Sequence, residues 1–293
     1  MPRQGGKLLS GALDELWCKY RKRLNTCRQD VSEDNVHELR ISTRRLLALI
    51  ELLRTLHPQA TLGKLRKTLK HQLDGFDELR DTQVMLLEIA NGMLALPDLA
   101  PFLSYLQQRE QQLFQETGPH IASLRQGRLR RKIQKAGRRI KTHSSKTDLN
   151  TAVLNAIDKV YATALQRYLA ITVDDLASIH HLRIPLKKLR YLLASVPAMV
   201  PDLPENHLRN LQDYLTRMGD IQNSAVLLRA LELFFVDGVP EEIQQYYRKQ
   251  QRALIDEFIE HRGEIFGLWR STPDQALPWQ AEHSGSAPWR NRP

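Results

Sequence analysis

The sequence is poor in the features that signal a disulfide framework, a metal centre, a cofactor fold or a membrane span. Its 293 residues hold two cysteines, Cys18 and Cys27, nine positions apart on one helical pattern. That excludes a disulfide scaffold and a cysteine-built zinc cluster, and makes reduced thiols the expectation. Aromatic residues are 6% of the chain, and none is interleaved with the basic positions in the way that stacking on single-stranded nucleic acid requires. No run approaches the roughly 18 apolar residues of a membrane helix. The opening MPRQGGKLLSGAL lacks the apolar stretch of a signal peptide, so a soluble, cytoplasmic protein is expected. No His-Glu-x-x-His, P-loop or Gly-x-Ser-x-Gly string occurs. His180 and His181 are adjacent, hence about 100° apart on a helix, and cannot readily share an ion. No cofactor, metal or catalytic residue is expected, and the chain reads as a non-enzyme. Alternating strand patterns are absent too. Acids are missing altogether from Thr117 to Thr147.

What the chain has in excess is positive charge, a formal +10. Such a balance favours an anionic partner, whether nucleic acid, an anionic membrane or another polyanion. With 42% hydrophobic residues the chain can also bury a core.

The segment Val36 to Leu53, VHELRISTRRLLALIELL, carries two stripes. Val36, Leu39, Leu46, Ile50 and Leu53 recur at the three- and four-residue steps of a helix with one buried face. His37, Arg40 and Arg44 recur at the same steps and line a second face, with Arg45 beside them. The pattern returns 143 positions downstream (36 to 179) as IHHLRIPLKKLRYLLASV. His180, Arg183, Lys187 and Lys188 fall on His37, Arg40, Arg44 and Arg45, while Leu182, Ile184, Leu189 and Leu192 fall on Leu39, Ile41, Leu46 and Leu49. Apolar matches alone arise between any two amphipathic helices. A basic string held in register with the apolar one is read as an internal duplication.

In chain order, a helix over 8–28 precedes this segment, with Leu9, Leu13, Leu16, Tyr20 and Leu24 inward. Ser32, Glu33 and Asp34 signal a helix start, and His57-Pro58 a stop. A helix over 61–74 buries Leu62, Leu65, Leu69 and Leu73, and DELRDTQV follows at 77–84. A long pattern from Pro101 to about Lys141 is expected to break or kink at Gly118-Pro119. Its end carries ten cations between Arg125 and Lys146, and 142–147 reads as a linker. The order then repeats: a helix over 148–170, a capping box at Thr172 to Asp175, the second motif with Pro185 inside its helix and a kink expected there, a turn marked by Pro197, Pro201 and Pro204, and a helix burying Leu208, Leu211, Leu215 and Met218. GDIQNSAV at 219–226 stands opposite DELRDTQV, 142 apart (77 to 219), and a last helix spans 241–269. Residues 272–293 look disordered. The fold class is all-α, two similar halves of about four helices each. The halves lie at about 8–142 and 148–270 of one domain over 1–271.

Like charges on one helix face repel by roughly 0.2–0.5 kcal/mol per neighbouring pair. Partner acids would offset this, but Glu38 and Glu51 have His181 and Ala194 as counterparts, so acids do not follow the repeat. A bound polyanion offsets it instead, since arginine forks match phosphate oxygens and histidine adds a donor. A basic stripe on a single helix is ordinarily a solvated face. Its recurrence in both halves favours binding.

VHELRISTRRL and IHHLRIPLKKLRY, each followed by an RD-x-x-V or QN-x-x-V segment, resemble the CHAD domain, the conserved histidine α-helical domain, over about 8–270. The resemblance implies two four-helix bundles related by a pseudo-twofold, with basic residues lining a central groove or pore. It also implies binding of inorganic polyphosphate and association with polyphosphate granules. Carried over by position, His37, Arg40, Arg44 and Arg45 match the first motif, and His180, Arg183, Lys187, Lys188 and Arg190 the second. Lys64, Lys67 and Arg209 match basic positions on the following helices. Pro185 departs from the pattern, as does Gln222-Asn223 where Arg80-Asp81 stand in the first half. The alternatives are a nucleic-acid-binding helical protein, without an evident base-reading helix-turn-helix, and a metal-dependent phosphohydrolase, with no acid kept beside His37 or His180.

Overall fold

The computed structural model describes residues 2–143, 148–172 and 175–283. All regular structure among the described residues is helical. Helix α1 (Pro2–Gln29) buries Leu9, Leu13, Leu16, Tyr20 and Leu24. Helix α2 (Glu33–Leu56) starts at Ser32, whose hydroxyl accepts from the Asn35 amide at 3.4 Å, and ends before His57-Pro58. Then come α3 (Ala60–Asp74), α4 (Asp77–Gly92), a 3-10 turn (Pro97–Leu99), α5 (Ala100–Ser123) and α6 (Gln126–His143). The second half comprises α7 (Leu149–Leu169), α8 (Leu176–Ser195), a 3-10 turn (Pro197–Met199), α9 (His207–Phe234), α10 (Glu241–His261), a 3-10 turn (Arg262–Gly267) and α11 (Pro278–His283).

Packing follows chain order. Helix α1 lies against α2 and α6, and α2 against α3. Helix α7 lies against α8, α8 against α9, and α9 against α10. The two sets meet where α2 crosses α8, and there the Ser195 hydroxyl donates to the Arg45 carbonyl at 3.2 Å. One apolar core runs through both sets, including Leu46, Leu49, Leu189 and Leu192. A second, smaller cluster joins Ile89, Phe102, Leu227 and Tyr247 between α4, α5, α9 and α10.

Several expectations need correction. Pro119 sits inside α5 near its end, and the break falls at Leu124, whose carbonyl accepts from the Arg28 guanidinium. Capturing that carbonyl from α1 ends the helix where the proline, close to the last turn, does not. The expected capping box at Thr172 includes Val173 and Asp174, which lie outside the described residues; the cap itself is Asp175, whose carboxylate accepts from the Ala177 amide at 2.9 Å. Pro185 does lie inside α8, as the sequence places it. The last long helix ends at His261 rather than 269. Ile184, paired with half-buried Ile41 in the repeat, is 54% exposed.

The tail is the largest difference. Residues 272–283 fold back onto the second half, and 284–293 lie outside the described residues. Trp279 is 6% exposed; its indole donates to the Pro201 carbonyl at 3.1 Å and its rings meet those of His207 and Trp269. Leu277 is buried with it. A polar average over 22 residues hides two apolar anchors. Trp269 and Arg270 tie the same region to α7 through the Asp158 carboxylate, at 2.7 and 2.8 to 2.9 Å.

Candidate functional site

Where α2 meets α8, both copies of the basic motif converge. Arg40 and Arg44 come from α2, Arg183 and Lys187 from α8. The four are close enough to perturb one another. Burial pushes the Lys187 ammonium down to about 7, and Arg44, Arg183 and Arg40 push the same way against the attraction of Asp77. Burial likewise lowers the pKa of Arg40, with Arg44 and Arg80 adding and Asp77 opposing. For Arg183, burial leads and Arg44 adds, against Tyr191 and Asp220. Guanidinium groups stay charged regardless, so Lys187 is the member of the cluster that yields.

The hydrogen bonds leave spare donors. Arg40, 7% exposed, donates from Nη2 to Asp77 Oδ1 at 3.1 Å, while its Nη1 is buried without a partner. Arg44 reaches the same carboxylate oxygen at 3.8 Å. Arg183 donates from Nε to the Leu215 carbonyl at 3.4 Å. His180 has a buried, unpartnered Nδ1; burial lowers its pKa, its hydrogen bond with Gln222 opposes, and Arg183, His181 and Lys187 add to the lowering.

The remaining expected residues lie around this centre or away from it. His37 is exposed and lines a small cleft with Arg40, Arg80 and Gln83. Arg190 has a buried, unpartnered Nε and lies 5.5 Å from the Tyr191 ring centroid. Lys64, Lys67 and Arg209 are exposed on α3 and α9, and with half-buried Arg45 they make no ion pair among the described residues. Lys188 faces elsewhere, into a groove between α7 and α8. The cations of α6 project from a helix whose other face, Leu129, Ile133, Ala136 and Ile140, is buried; Lys146 lies outside the described residues.

One inference from the sequence fails here. Acids do follow the repeat, though from other helices, α4 and α9: Asp77 faces Arg40, and Asp220 acts on Arg183, at the same 143-residue spacing (77 to 220) as the arginines. Aligning the two segments at 142 set Gly219 opposite Asp77 and hid the match. Glu38 and Glu51, the acids considered, pair instead with Arg23 at 2.9 Å and Arg66 at 2.8 Å. Arg80 and Gln222 are further neighbours missed as site residues. Among the described residues no group of three or more His, Cys, Asp or Glu is placed to hold a metal, and no helix is long and apolar enough to cross a membrane.

Comparison with known proteins agrees with this architecture. No curated protein matches the chain. The crystal structure of the CHAD domain from the plant Ricinus communis is similar in fold, with a TM-score of 0.60 over 93% of each chain at 16% identity. The CHAD domain family model matches residues 11–232, about three quarters of the length. This all-helical chain, with its paired basic motifs at the crossing of α2 and α8, belongs to the CHAD domain family.

Proposed function

We propose that the chain binds inorganic polyphosphate, without catalysing a reaction on it, at the crossing of α2 and α8. One observation carries this reading: Lys187 is sheltered among Arg44, Arg183 and Arg40, and its ammonium is destabilised to about 7 by burial and by those three charges. A cluster of this kind is unfavourable when empty, and an anion threaded between the helices relieves it. Asp77 and Asp220 offset the charge only in part, for Arg40 Nη1 stays unpartnered. The cations are strung along two helices rather than gathered round a point, which suits a repeating phosphate chain. His37, His180, Arg190, Lys64, Lys67 and Arg209 extend the surface beyond the centre. The family is associated with polyphosphate binding, and the reading includes location at polyphosphate granules and an origin of the two halves by duplication.

Titration with polyphosphate of defined length tests it. Affinity should grow with chain length, fall steeply with salt, and drop about a hundredfold or more in an Arg40→Glu/Arg183→Glu variant of unchanged helicity, two charge-assisted contacts being reversed. Tight binding that survives in the variant would move the site to α6. Equal affinity for triphosphate and long chains would refute the extended site. Displacement by duplex DNA at equal phosphate concentration would point to nucleic acid, and phosphate release with Mg²⁺ or Mn²⁺ to an enzyme.

A further inference from the structure

Helix α6 carries a charge that its place in the fold does not require. Its 18 residues hold eight cations and no acid. Leu129, Ile133, Ala136 and Ile140 turn inward, each 3% exposed or less, where the helix packs against α1 and α3. Arg128, Arg131, Lys135 and Arg138 recur at three- and four-residue steps, so they form one stripe, and all four are exposed. None of the four is in an ion pair among the described residues. Elsewhere arginines find acids: Arg23 holds Glu38 at 2.9 Å, Arg66 holds Glu51 at 2.8 Å and Arg217 holds Glu264 at 2.6 Å. The helices beside α6 are basic as well. Helix α1 has seven cations against two acids, and α3 four against one.

The second half supplies a comparison. There α7, the counterpart of α1, is covered by residues 262–270: the Tyr161 hydroxyl donates to the Ile265 carbonyl at 2.6 Å, and the Trp269 indole to Asp158 at 2.7 Å. That cover holds Arg262, Glu264 and Arg270 as its only charges, and two of them are paired, Arg270 with Asp158 at 2.8 Å and Glu264 with Arg217. Covering the first helix of a half therefore takes an apolar face and no surplus of cations. Like charges at helical spacing repel one another. An uncompensated stripe of them on α6 fits an anion supplied from outside the chain.

The surroundings select the partner. No Phe, Tyr or Trp lies between Phe114 and Tyr161, so α6 offers nothing for unpaired bases to stack on. Its apolar residues are already buried, so nothing is left to insert among lipid tails. A thin phosphate chain is gripped best from two sides, as α2 and α8 allow. A double helix is broad and stiff enough to lie against one helix face. It carries one charge per roughly 1.7 Å of axis, so the roughly 15 Å from Arg128 to Arg138 faces about nine phosphate charges. Arginines outnumber lysines in α6 by five to three, and their planar forks match phosphate oxygens. We propose that the outer face of α6 is a docking surface for the backbone of double-stranded nucleic acid, held by charge and not by sequence. This surface is independent of the polyphosphate reading.

The test is fluorescence anisotropy of the full chain with labelled duplexes of about 20 base pairs, DNA and RNA in separate arms, across a salt series. At least one duplex should bind, with log affinity falling against log salt at a slope of about −4 or steeper, for four or more phosphates at roughly 0.9 each. Arg131→Gln/Lys135→Gln/Arg138→Gln should flatten that slope by about 2–3 and weaken binding about tenfold or more at unchanged helicity. Arg248→Gln/Lys249→Gln/Arg252→Gln removes the same charge from exposed positions of α10 and should move the slope by less than about 1. Arg40→Glu/Arg183→Glu should leave the duplex bound. The proposal is overturned if neither duplex binds, if the α10 variant loses as much as the α6 variant, or if duplex binding is lost with Arg40 and Arg183 instead. It is overturned too if a single strand of the same length, or phosphatidylserine vesicles, bind as tightly as the duplex. Loss of polyphosphate binding with duplex binding retained would refute only the central site.

Discussion

Asp77 both steadies the site and competes for it. Its carboxylate holds the buried Arg40 guanidinium at 3.1 Å and draws Arg44 to 3.8 Å, occupying donors that a phosphate would use. Asp77→Asn should therefore cost stability, about 1–2 kcal/mol given that the carboxylate is half exposed, yet tighten polyphosphate binding. Urea unfolding and titration on the same variant check both signs, and weaker binding would show that Asp77 positions Arg40 more than it blocks it. Lys187 gives a pH signature. Its folded value, about 7, lies below the ordinary 10.5, so between those values the unfolded chain holds the extra proton and the ligand-free protein gains stability as pH rises. Binding a polyanion restores the charge, so affinity should fall roughly tenfold or more from pH 6 to 8.5, with proton uptake in the upper part of that range. Lys187→Arg should flatten the curve. A wild-type profile flat across that window would remove Lys187 from the site. The basic stripe was legible in the sequence because its members recur within one helix. Asp77 was not, because its partner lies 37 residues away and only the helix crossing brings them together.

Two glycines on straight helices separate close packing from mere flexibility. Gly11 of α1 is exposed, with nothing near the place where a side chain would begin, so Gly11→Ala should stabilise by about 0.5–1 kcal/mol in thermal or urea melts. A Cβ on Gly219 of α9 would sit 2.8 Å from Arg183 Nη2. There the propensity gain is offset by displacement of the guanidinium, and polyphosphate affinity should fall several-fold with little change in stability. Unchanged affinity would mean that Arg183 has room to move. The same close approach shapes the first half differently. At Gly75 a Cβ would lie 2.6 Å from His120 Nε2 of α5, and the chain there divides into α3 and α4 where α9 runs unbroken. Helix existence, faces and most ends were readable from apolar period and caps, as in α2 and α3, whereas α1 begins at Pro2, six residues before its apolar period does. The α5 end was not, since it depends on Arg28 reaching Leu124 from another helix.

The whole molecule closes through a segment that composition alone would discard. Trp279→Ala should cost about 2–4 kcal/mol, the usual range for emptying a large buried aromatic site less some relaxation. Ending the chain at residue 271 should cost at least as much, since Leu277 leaves as well. Melting temperatures matching the wild type in both variants would show that the core closes without them. The contact between α2 and α8 has a further consequence in time. It joins positions 150 apart, as the bond from Ser195 to the Arg45 carbonyl shows. At a synthesis rate of roughly 5–20 residues per second, α8 follows α2 by about 8–30 seconds. For that interval α2 presents Arg40 and Arg44 with no second half to shelter them. A nascent chain therefore meets whatever polyanion is nearby, ribosomal RNA included, before the crossing that pairs the two motifs exists.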